Sequence, residues 1–347
     1  MTIGQPLPPG TSLILLPKMK TIALLATALD RIEVVEALLP DPEPGQVLVE
    51  AVYTAISPGT ELRCLAGRQH GVAFPFIPGY SMVGRIAARG AGVALMEGTL
   101  VFCQGTEKAD HPLAWGGHIA HALRAEESVF PLPAGVDPLE ASLAKLGAIA
   151  YRGVRVAGTR PHEEVAVVGL GPIGQLAARL HRLAGARVIA ADLSEERVAL
   201  ANAAGIEAVV PLREGLVAAF RSVQPGGADV VVDSTGAPPV LQQSVLLAKS
   251  KPWDQSLTEP TRLVIQGSYA ENVVFDYHQA FYRELSVHLP RDNQARDLQA
   301  VLRFLASGSL KARDLISEVC KPGDAPRIYA ALRAAKPGLL TAAFQWR

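Results

Sequence analysis

The chain of 347 residues carries 33 basic and 33 acidic side chains, so its formal net charge at pH 7 is zero. This balance and the low aromatic content of 5% give no indication of a nucleic-acid or membrane partner. Hydrophobic residues make up 49% of the chain, which is enough for a large core and for two domains, one of which can be split. The three cysteines are far apart in sequence and predict no disulfide framework. Because the N-terminus lacks a leader pattern and no apolar run reaches about 18 residues, we expect a cytoplasmic protein.

Residues 1–133 alternate short apolar stretches with Gly and Pro, a pattern typical of an irregular β domain. A Pro-rich arm with an apolar run at 13–16 comes first. The predicted strands are 21–25, 32–36, 46–56, 82–88, 99–102 and 117–123. Pro58-Gly59 is typical of a turn between strands. From Asp137, a plausible N-cap, residues 137–157 predict one helix that leads into the next domain.

Residues 163–192 contain the strongest local pattern in the chain. A β-branched run at 164–168 leads directly into a glycine turn, an amphipathic helix and a second apolar run that ends on Asp192. Strand, turn, helix, strand and acid in this order are typical of a unit that binds a dinucleotide. The turn reads Gly169-Leu170-Gly171-Pro172-Ile173-Gly174. A glycine turn in some other α/β fold is the alternative.

The residues of this unit predict distinct contacts with a dinucleotide. Gly169 allows a tight turn, Gly171 lets the backbone approach a pyrophosphate, and Gly174 lets the helix lie close to the strand. The helix N-terminus, which begins at Pro172 and Ile173, supplies N–H groups and a partial positive charge. Asp192 lies 18 residues after the last glycine and can accept hydrogen bonds from a ribose diol, which favours NAD.

Further strands are predicted beyond this unit. They lie at 208–210, 229–233, 263–266 and 285–289, with helical patterns between them, so we expect a doubly wound parallel sheet of about six strands. Thr235 and Gly267 would line the cofactor groove at the strand ends, and Arg197 lies against the adenine or on a helix surface. Residues 249–261 form a polar insertion. Helices at 295–307 and 324–335 and a strand at 340–345 follow.

This organisation resembles the medium-chain dehydrogenase/reductase superfamily. The supporting motifs are Gly116-Gly117-His118 leading to 129–133, the glycine turn, and Asp233-Ser234-Thr235-Gly236. The resemblance implies an α/β fold in which a Rossmann doubly wound parallel sheet accompanies an irregular, mostly β, GroES-like catalytic domain. It implies a first part of the catalytic domain at 1–146, a dinucleotide-binding domain at 147–290 and a return segment at 291–347. It also implies a substrate cleft between the domains and a homodimer that pairs through strand 285–289.

The positions that bind catalytic zinc in many members of this family carry other residues here. Aligned with the family's motifs, these positions are Ser57, Tyr80 and Lys145. Serine, tyrosine and a protonated lysine make no stable zinc site, and the four-cysteine lobe of a structural zinc is missing. The stretch 57–61, Ser-Pro-Gly-Thr-Glu, resembles the zinc-free branch that includes 3-hydroxyethyl bacteriochlorophyllide dehydrogenases, although Ser81 stands where those enzymes usually have glutamate.

If these three residues converge, they form the serine–tyrosine–lysine trio that short-chain dehydrogenases use in an unrelated arrangement. A lysine ammonium near a phenol lowers the pKa of the phenol, so that tyrosinate takes the alcohol proton while serine orients the oxygen. The alternative is that Tyr80 fills the vacated metal cavity, Ser57 caps a turn, and Lys145 pairs with Glu61 or Glu140.

Several polar residues near these motifs have two interpretations. Thr60 is a second catalytic candidate, since the matching residue of zinc relatives relays the proton. We expect Glu61 to be an exposed salt-bridge partner rather than a buried acid, and His111 to be a surface residue rather than an acid or base. His118 and His121 lie three apart on an extended run, which sends them to opposite faces and argues against a metal pair.

Together, the residues and the resemblance predict a zinc-independent, NAD-dependent enzyme that interconverts a small secondary alcohol and a ketone. One alternative is a zinc-free reductase of polarised C=C bonds, of the quinone or enoyl type. Asp192 argues against it, because those enzymes mostly use NADPH. The other alternative is a non-catalytic nucleotide-binding protein that has lost its chemistry together with its metal.

Overall fold

Gly- and Pro-rich turns in the first part of the chain separate strands that pair mainly antiparallel. The computed structural model describes residues 18–211, 214–252, 254–255, 259–269 and 272–347, so the apolar run at 13–16 and part of the polar insertion lie outside the described residues. Strands β1 (Lys18–Ala28) and β2 (Arg31–Pro40) form an antiparallel hairpin. The strands of a second, seven-stranded sheet are β3 (Gln46–Ala55), β4 (Met82–Arg89), β5 (Leu100–Cys103), β6 (His121–Ala125), β7 (Phe130–Pro131), β14 (Ile316–Cys320) and β15 (Thr341–Gln345).

The C-terminal residues return to this second sheet. β15 pairs antiparallel with β3, so that Ala343 lies opposite Ala55, and β14 pairs parallel with β15 at the outer edge. The predicted strand 340–345 is therefore confirmed. Strand β14 was not predicted, because its sequence Ile-Ser-Glu-Val-Cys lacks a sustained apolar run.

The second half of the chain forms the predicted parallel sheet. Its strands are β8 (Glu164–Val168), β9 (Arg187–Ala191), β10 (Glu207–Val209), β11 (Val230–Asp233), β12 (Arg262–Ile265) and β13 (Ser286–His288). Their spatial order is β10-β9-β8-β11-β12-β13, and every pair is parallel. Counted along the chain within this sheet, the third strand (β10) forms one edge and the sixth (β13) forms the other. This is the order of a doubly wound dinucleotide-binding sheet.

Helices cover both sheets and connect them. They are α1 (Pro58–Leu65), α2 (Pro138–Ala141), α3 (Ala144–Ala157), α4 (Pro172–Leu183), α5 (Glu195–Ala203), α6 (Gly215–Val223), α7 (Pro238–Val245), α8 (Tyr277–Phe281), α9 (Ala295–Ala306) and α10 (Ala325–Arg333). The predicted helices at 295–307 and 324–335 correspond to α9 and α10. The prediction of a turn at Pro58-Gly59 is wrong, because Pro58 begins α1, at the helical position where its missing N–H costs nothing.

The predicted helix over 137–157 is two helices. Asp137 is the expected N-cap, and its side chain accepts a hydrogen bond from the Leu139 N–H at 3.0 Å. The first helix stops at Ser142, whose hydroxyl bonds back to the Leu139 carbonyl oxygen at 2.6 Å. Serine is a residue that competes locally for backbone hydrogen bonds in this way, and the chain restarts as α3 two residues later.

The predicted strand 117–123 begins later, at His121. Gly117 crosses so close to the backbone of Gly79 that a Cβ on it would lie 2.4 Å from the Gly79 carbonyl carbon. Residues 118–120 then pair with β1. The Leu24 N–H donates to the His118 carbonyl oxygen at 2.9 Å, the Ala120 N–H donates to the Ile22 carbonyl oxygen at 2.8 Å, and Ile119 bridges to Ala23.

Helix α3 positions the two halves of the candidate site. It packs on α4 and α9, and a Cβ on its Gly147 would lie 2.8 Å from Val301 Cγ1. Its apolar face belongs to one continuous core that also contains Val83 and Phe102 of the antiparallel sheet and Val165 of the parallel sheet. The start of α3 therefore lies where the two sheets face each other.

Candidate active site

A cleft of about 2010 Å³ is lined by residues of both sheets and of α3. Nearly all of the predicted site residues line it. They are Ser57, Thr60, Tyr80, Lys145, Gly169, Gly171, Pro172, Ile173, Asp192, Arg197, Thr235 and Gly267. The structure therefore brings the candidate catalytic residues and the candidate cofactor residues to one space.

The glycine turn has the geometry that a pyrophosphate needs. Gly169 has a φ of 85°, which is the left-handed region that glycine adopts freely. A Cβ on Gly174 would lie 1.7 Å from the Gly169 carbonyl oxygen, so α4 approaches the strand only because that residue is glycine. A Cβ on Gly171, by contrast, would meet no atom within 4 Å. Gly171 thus borders open space at the N-terminus of α4, a place that fits a dinucleotide phosphate.

Asp192 directly follows β9 and ends the strand–turn–helix–strand unit that begins with β8. One carboxylate oxygen accepts a hydrogen bond from the Leu170 N–H at 2.7 Å, and the other accepts one from the Ser194 N–H at 2.8 Å. Arg197 lies on α5 with its guanidinium 3.6 Å from the same carboxylate. The carboxylate is thus fixed beside the glycine turn, with remaining lone pairs facing the cleft.

Another carboxylate, which is buried, fixes residues that line the cofactor groove. Asp233, at the end of β11, is fully buried and accepts hydrogen bonds from the Thr235 N–H and hydroxyl, both at 3.0 Å. It also accepts one from the Tyr269 hydroxyl at 2.7 Å, and burial raises the pKa of that phenol. Sequence analysis did not indicate Tyr269, because it lies 36 residues away on a loop after β12.

Three hydroxyl groups cluster on the other wall of the cleft. The Tyr80 hydroxyl donates to Ser57 Oγ and lies 3.2 Å from Thr60 Oγ1. Ser57 is the N-cap of α1, and Thr60 is in its first turn, so one helix start presents both. The Tyr80 ring is 7% exposed and packs edge-on against Trp115, with ring centroids 5.3 Å apart.

Burial keeps the Tyr80 phenol protonated. It raises the pKa of Tyr80 to about 12, while the hydrogen bonds to Ser57 and Thr60 lower it and the charges of Glu61 and Asp292 raise it further. The predicted lowering of this pKa by a neighbouring lysine is therefore wrong for this structure. Lys145 lines the same cleft, but its ammonium is ion-paired with Asp292 Oδ1 at 2.6 Å.

The partners suggested for Lys145 by the alternative interpretation are also wrong. Glu140 accepts hydrogen bonds from the backbone N–H groups of Ala312 and Arg313, and Glu61 points elsewhere. Asp292 lies in the loop after β13, 147 positions from Lys145, and no local pattern in the sequence connects the two.

Glu61 is buried, against the expectation of an exposed salt-bridge partner. It is 1% exposed and accepts a hydrogen bond from the Ser57 N–H at 2.7 Å. Its other oxygen contacts the Tyr329 hydroxyl and lies 2.9 Å from His118 Nε2. Sequence analysis named Glu61 and His118 separately but did not predict their contact.

The three histidines named in the sequence analysis lie in different environments. His118 is fully buried, whereas His121 lies part-exposed beside Thr21 and Glu50, so the two side chains occupy different environments. His111 is on the surface, with its Nε2 3.3 Å from the Glu36 carbonyl oxygen.

The donor groups in the cleft do not fit a zinc ion. The three aligned ligand positions carry two neutral hydroxyls, which bond to each other, and an ammonium that already has an anionic partner. Zinc in proteins binds thiolate, imidazole and carboxylate ligands. Within the part of the chain that the structure describes, no group of three or more His, Cys, Asp or Glu side chains is placed to hold a metal. No described helix is long and apolar enough to cross a membrane.

Comparison with known families agrees with this architecture. Residues 43–134 match the alcohol dehydrogenase GroES-like domain, and residues 172–307 match the zinc-binding dehydrogenase family. The chain is 27% identical over 326 residues to the 2-dehydro-3-deoxy-L-galactonate 5-dehydrogenase of Pseudoalteromonas atlantica, over 86% of this chain and 91% of that protein. It is 26% identical over 339 residues to the 2-desacetyl-2-hydroxyethyl bacteriochlorophyllide A dehydrogenase of Cereibacter sphaeroides, over 95% and 99%.

Solved structures share the fold. A short chain alcohol dehydrogenase from Escherichia coli CFT073, in complex with NADH, superposes with a TM-score of 0.81 at 20% identity, over 94% of this chain and 99% of that chain. A Sinorhizobium meliloti 1021 protein bound to NADP gives a TM-score of 0.81 at 23% identity, over 94% and 100%. At these identities the likeness concerns the fold, which is the predicted combination of a parallel and a mostly antiparallel sheet.

Proposed function

The chain belongs to the medium-chain dehydrogenase/reductase superfamily, and from this premise we propose that it is a zinc-independent, NAD-dependent oxidoreductase that interconverts a secondary alcohol and a ketone. The observation that carries the proposal is the cluster of Tyr80, Ser57 and Thr60 hydroxyls on the cleft wall that faces the glycine turn. In a family whose members polarise the substrate oxygen, Ser57 and Tyr80 align with positions of metal ligands, and Thr60 aligns with the residue that relays the proton.

The cluster can perform the proton transfer that the reaction requires. The glycine turn and Asp192 would hold a nicotinamide cofactor, which when bound would provide hydride transfer to or from the substrate carbon. In the reductive direction the carbonyl oxygen must gain a proton. The Tyr80 phenol, which is protonated at neutral pH, can donate it. Ser57 and Thr60 hold the phenol and the substrate oxygen by hydrogen bonds. After donation, the phenolate regains a proton from water that enters the cleft.

At neutral pH this arrangement holds the proton that ketone reduction must deliver to the substrate oxygen. A phenol whose pKa is raised to about 12 is an acid at neutral pH and is ionised only in a very small fraction. Lys145, held in place by its ion pair with Asp292, lines the same cleft, where its ammonium group can donate a hydrogen bond to an oxyanion. We therefore assign Tyr80 as the proton donor and Lys145 as an electrostatic partner of the oxygen.

The preference for NAD rests on Asp192. Its carboxylate is fixed by two backbone N–H groups beside the glycine turn, where an adenosine ribose would lie. A 2′-phosphate at that place would meet a negative charge. Among the described residues, the guanidinium of Arg197 lies 3.6 Å from the same carboxylate, which already attracts it.

The substrate panel follows from the names of the relatives. These include dehydrogenases of 2-dehydro-3-deoxy-L-galactonate, sorbitol and L-threonine, so we propose a small polar secondary alcohol or its ketone. The test is turnover with NAD and NADP, and with their reduced forms, over a panel of such compounds. NAD-linked turnover of a ketone or alcohol supports the proposal. Turnover only of conjugated C=C substrates with NADPH would favour a quinone or enoyl reductase instead.

A further inference from the structure

A buried set of polar side chains lies behind the hydroxyl cluster, and the proposed reaction does not use it directly. Glu61 of α1 is in contact with His118, which follows the glycine pair at 116–117, and with Tyr329 of α10. His118 continues to Thr54 at the end of β3, whose hydroxyl lies 2.8 Å from His118 Nδ1. Trp346 completes the set, with its indole N–H donating to Thr54 Oγ1 at 3.0 Å. His118 and Tyr329 therefore contact the Glu61 carboxylate directly, and Thr54 and Trp346 connect to it through His118.

One arrangement of protons satisfies every contact in this set. The Trp346 N–H donates to Thr54 Oγ1, and the Thr54 hydroxyl proton is then free to donate to His118 Nδ1. In this arrangement Nδ1 of His118 accepts, and the proton on Nε2 is donated to Glu61. The Tyr329 hydroxyl donates to the same carboxylate oxygen, and the Ser57 N–H donates to the other. Each donor is used once, and Glu61 accepts three hydrogen bonds as an ionised carboxylate.

In this arrangement neutral donors surround the Glu61 carboxylate in its described contacts. The set of neutral donors stabilises it, and so does the N-terminal turn of α1, to which Glu61 belongs, because anions are favoured at helix N-termini. Building a buried, uncompensated carboxylate costs stability. Buried charges that cost stability are common at functional sites, where the charge contributes to the chemistry.

We propose that Glu61 is a positioning residue for the hydroxyl cluster: held by His118 and Tyr329, its carboxylate fixes Ser57 through the main-chain N–H and places a negative charge behind the Tyr80 phenol. The catalytic part of this inference rests on the proposed function. Ser57 and Thr60 start the same helix turn that Glu61 ties down, so loss of the carboxylate loosens both partners of the phenol at once. Glu61 itself does not need to touch the substrate.

The same charge contributes to the acidity of the site. Burial is the main reason that the pKa of Tyr80 is raised, and the charge of Glu61 acts in the same direction. The groups that face Glu61 are His118, Tyr329, Tyr80 and Cys64, and Asp292 faces Tyr80 from across the cleft. Since His118 is neutral in this arrangement, the carboxylate keeps its effect on the phenol.

The first test needs no substrate. In the full-length protein, NMR of the Ser57 amide and of the His118 ring nitrogens reports on the two bonds of Glu61 directly. We expect a strongly downfield Ser57 amide proton and a neutral His118 protonated on Nε2. Glu61→Gln removes the charge and keeps an acceptor, so the Ser57 amide proton should move upfield. Tyr329→Phe removes one of the bonds that hold the carboxylate and should move the Ser57 resonance in the same direction by a smaller amount. Tyr151→Phe, the matched control, removes the hydroxyl of a phenol that packs against Phe304 outside this set and should leave the Ser57 resonance unchanged.

The second test measures ketone reduction. We expect Glu61→Gln to lower kcat about 10-fold to 100-fold with little change in the Kd of NADH, since Glu61 does not line the cofactor groove. The alkaline limb of the kcat/KM profile should move to lower pH, because the phenol loses a neighbouring negative charge. Glu61→Asp, which restores the charge on a shorter side chain, should recover part of kcat and return the alkaline limb towards that of the unmodified protein.

The two tests separate the possible failures. A Ser57 resonance that is identical in the unmodified protein and in folded Glu61→Gln overturns the positioning role, whatever the kinetics show. An unchanged kcat and pH profile in Glu61→Gln overturns it as well. If the resonances behave as expected but no alcohol or ketone is turned over by the unmodified protein, the proposed function fails while the positioning of Ser57 by Glu61 is supported.

Discussion

The Tyr80 hydroxyl donates a hydrogen bond to Ser57 Oγ across 23 positions of sequence, and both groups are buried at the wall of the cleft. Neither side chain is a metal ligand of the usual kind. Tyr80 is the group that can donate a proton to a substrate oxygen, and its hydrogen-bonded neighbours are already oriented. This pair is the part of the molecule on which the proposed chemistry depends most directly.

Replacing Tyr80 by phenylalanine should abolish proton transfer. We expect kcat for ketone reduction to fall by about 100-fold or more, which is the usual contribution of a general acid, while the Kd of NADH changes little. Stopped-flow fluorescence and steady-state kinetics measure the two quantities. Tyr151→Phe is the matched control, because Tyr151 packs against Phe304 on α9 outside the hydroxyl cluster. If Tyr80→Phe keeps most of its turnover, the assigned proton donor is wrong.

Replacing Asp192 by alanine should weaken NAD more than NADP. The variant loses the acceptor of the ribose hydroxyls and the charge that repels a 2′-phosphate. It also loses the bonds to the Leu170 and Ser194 N–H groups, which affects both cofactors equally. Calorimetric titration of Asp192→Ala and Asp192→Asn with both dinucleotides separates these effects. An equal loss for the two cofactors would show that the carboxylate does not select between them.

The free energy of unfolding should depend on pH through His181. This residue is buried on α4 with Nδ1 2.9 Å from Thr159 Oγ1, and burial, with the charge of Arg262, lowers its pKa to about 3. The unfolded chain binds a proton near pH 6.5 and the folded chain does not, so this residue's contribution is lost as pH falls from about 6.5 towards 3. Between pH 7.5 and 5.5 that loss is about 1.4 kcal/mol.

Urea unfolding at those two pH values measures the effect. His181→Gln should reduce the difference between the two pH values by about 1.4 kcal/mol, whatever its own stability, because it removes the titrating group. His70→Gln, a change at an exposed histidine, should leave the difference as it is. The same pH dependence in His181→Gln and in the unmodified protein would contradict the prediction.

We expect a homodimer that pairs through β13. This strand is confirmed as the edge of the parallel sheet, and its surroundings expose apolar side chains, including Val287 at 37% and Leu289 at 69%. A charged residue on an edge strand opposes pairing, so Val287→Lys should yield a monomer in light scattering. Val34→Lys, at a similarly exposed position on β2, should stay a dimer. A monomeric unmodified protein would refute the expectation.

The parts of the molecule that the sequence predicted are those set by local pattern. The unit at 163–192 combines an apolar run, a glycine turn and helical spacing over consecutive residues, so its fold and the places of Gly169, Gly171, Gly174 and Asp192 could be read directly. The strand order of the parallel sheet follows from that unit and the resemblance together. The convergence of Ser57 and Tyr80 was available only through the resemblance.

The parts that could not be predicted depend on contacts between distant residues. Glu61 meets His118 and Tyr329 across 57 and 268 positions, and no periodicity encodes such a meeting. Pro58-Gly59 indicates a turn on local grounds, yet Pro58 starts a helix. The Glu61 N–H donates to the Ser57 carbonyl oxygen at 2.9 Å, and the Ser57 N–H donates to the Glu61 carboxylate at 2.7 Å. Lys145 was expected to act on a phenol, and its ion pair with Asp292, in the loop after β13, could not be predicted.

The most direct test of the central claim is zinc analysis of the purified protein combined with NADH-linked ketone reduction before and after treatment with a chelator. Our account predicts no stoichiometric zinc, turnover that survives chelation, and loss of that turnover in Tyr80→Phe. Stoichiometric zinc whose removal abolishes turnover would contradict it, because the hydroxyl cluster would then not be the group that acts on the substrate oxygen.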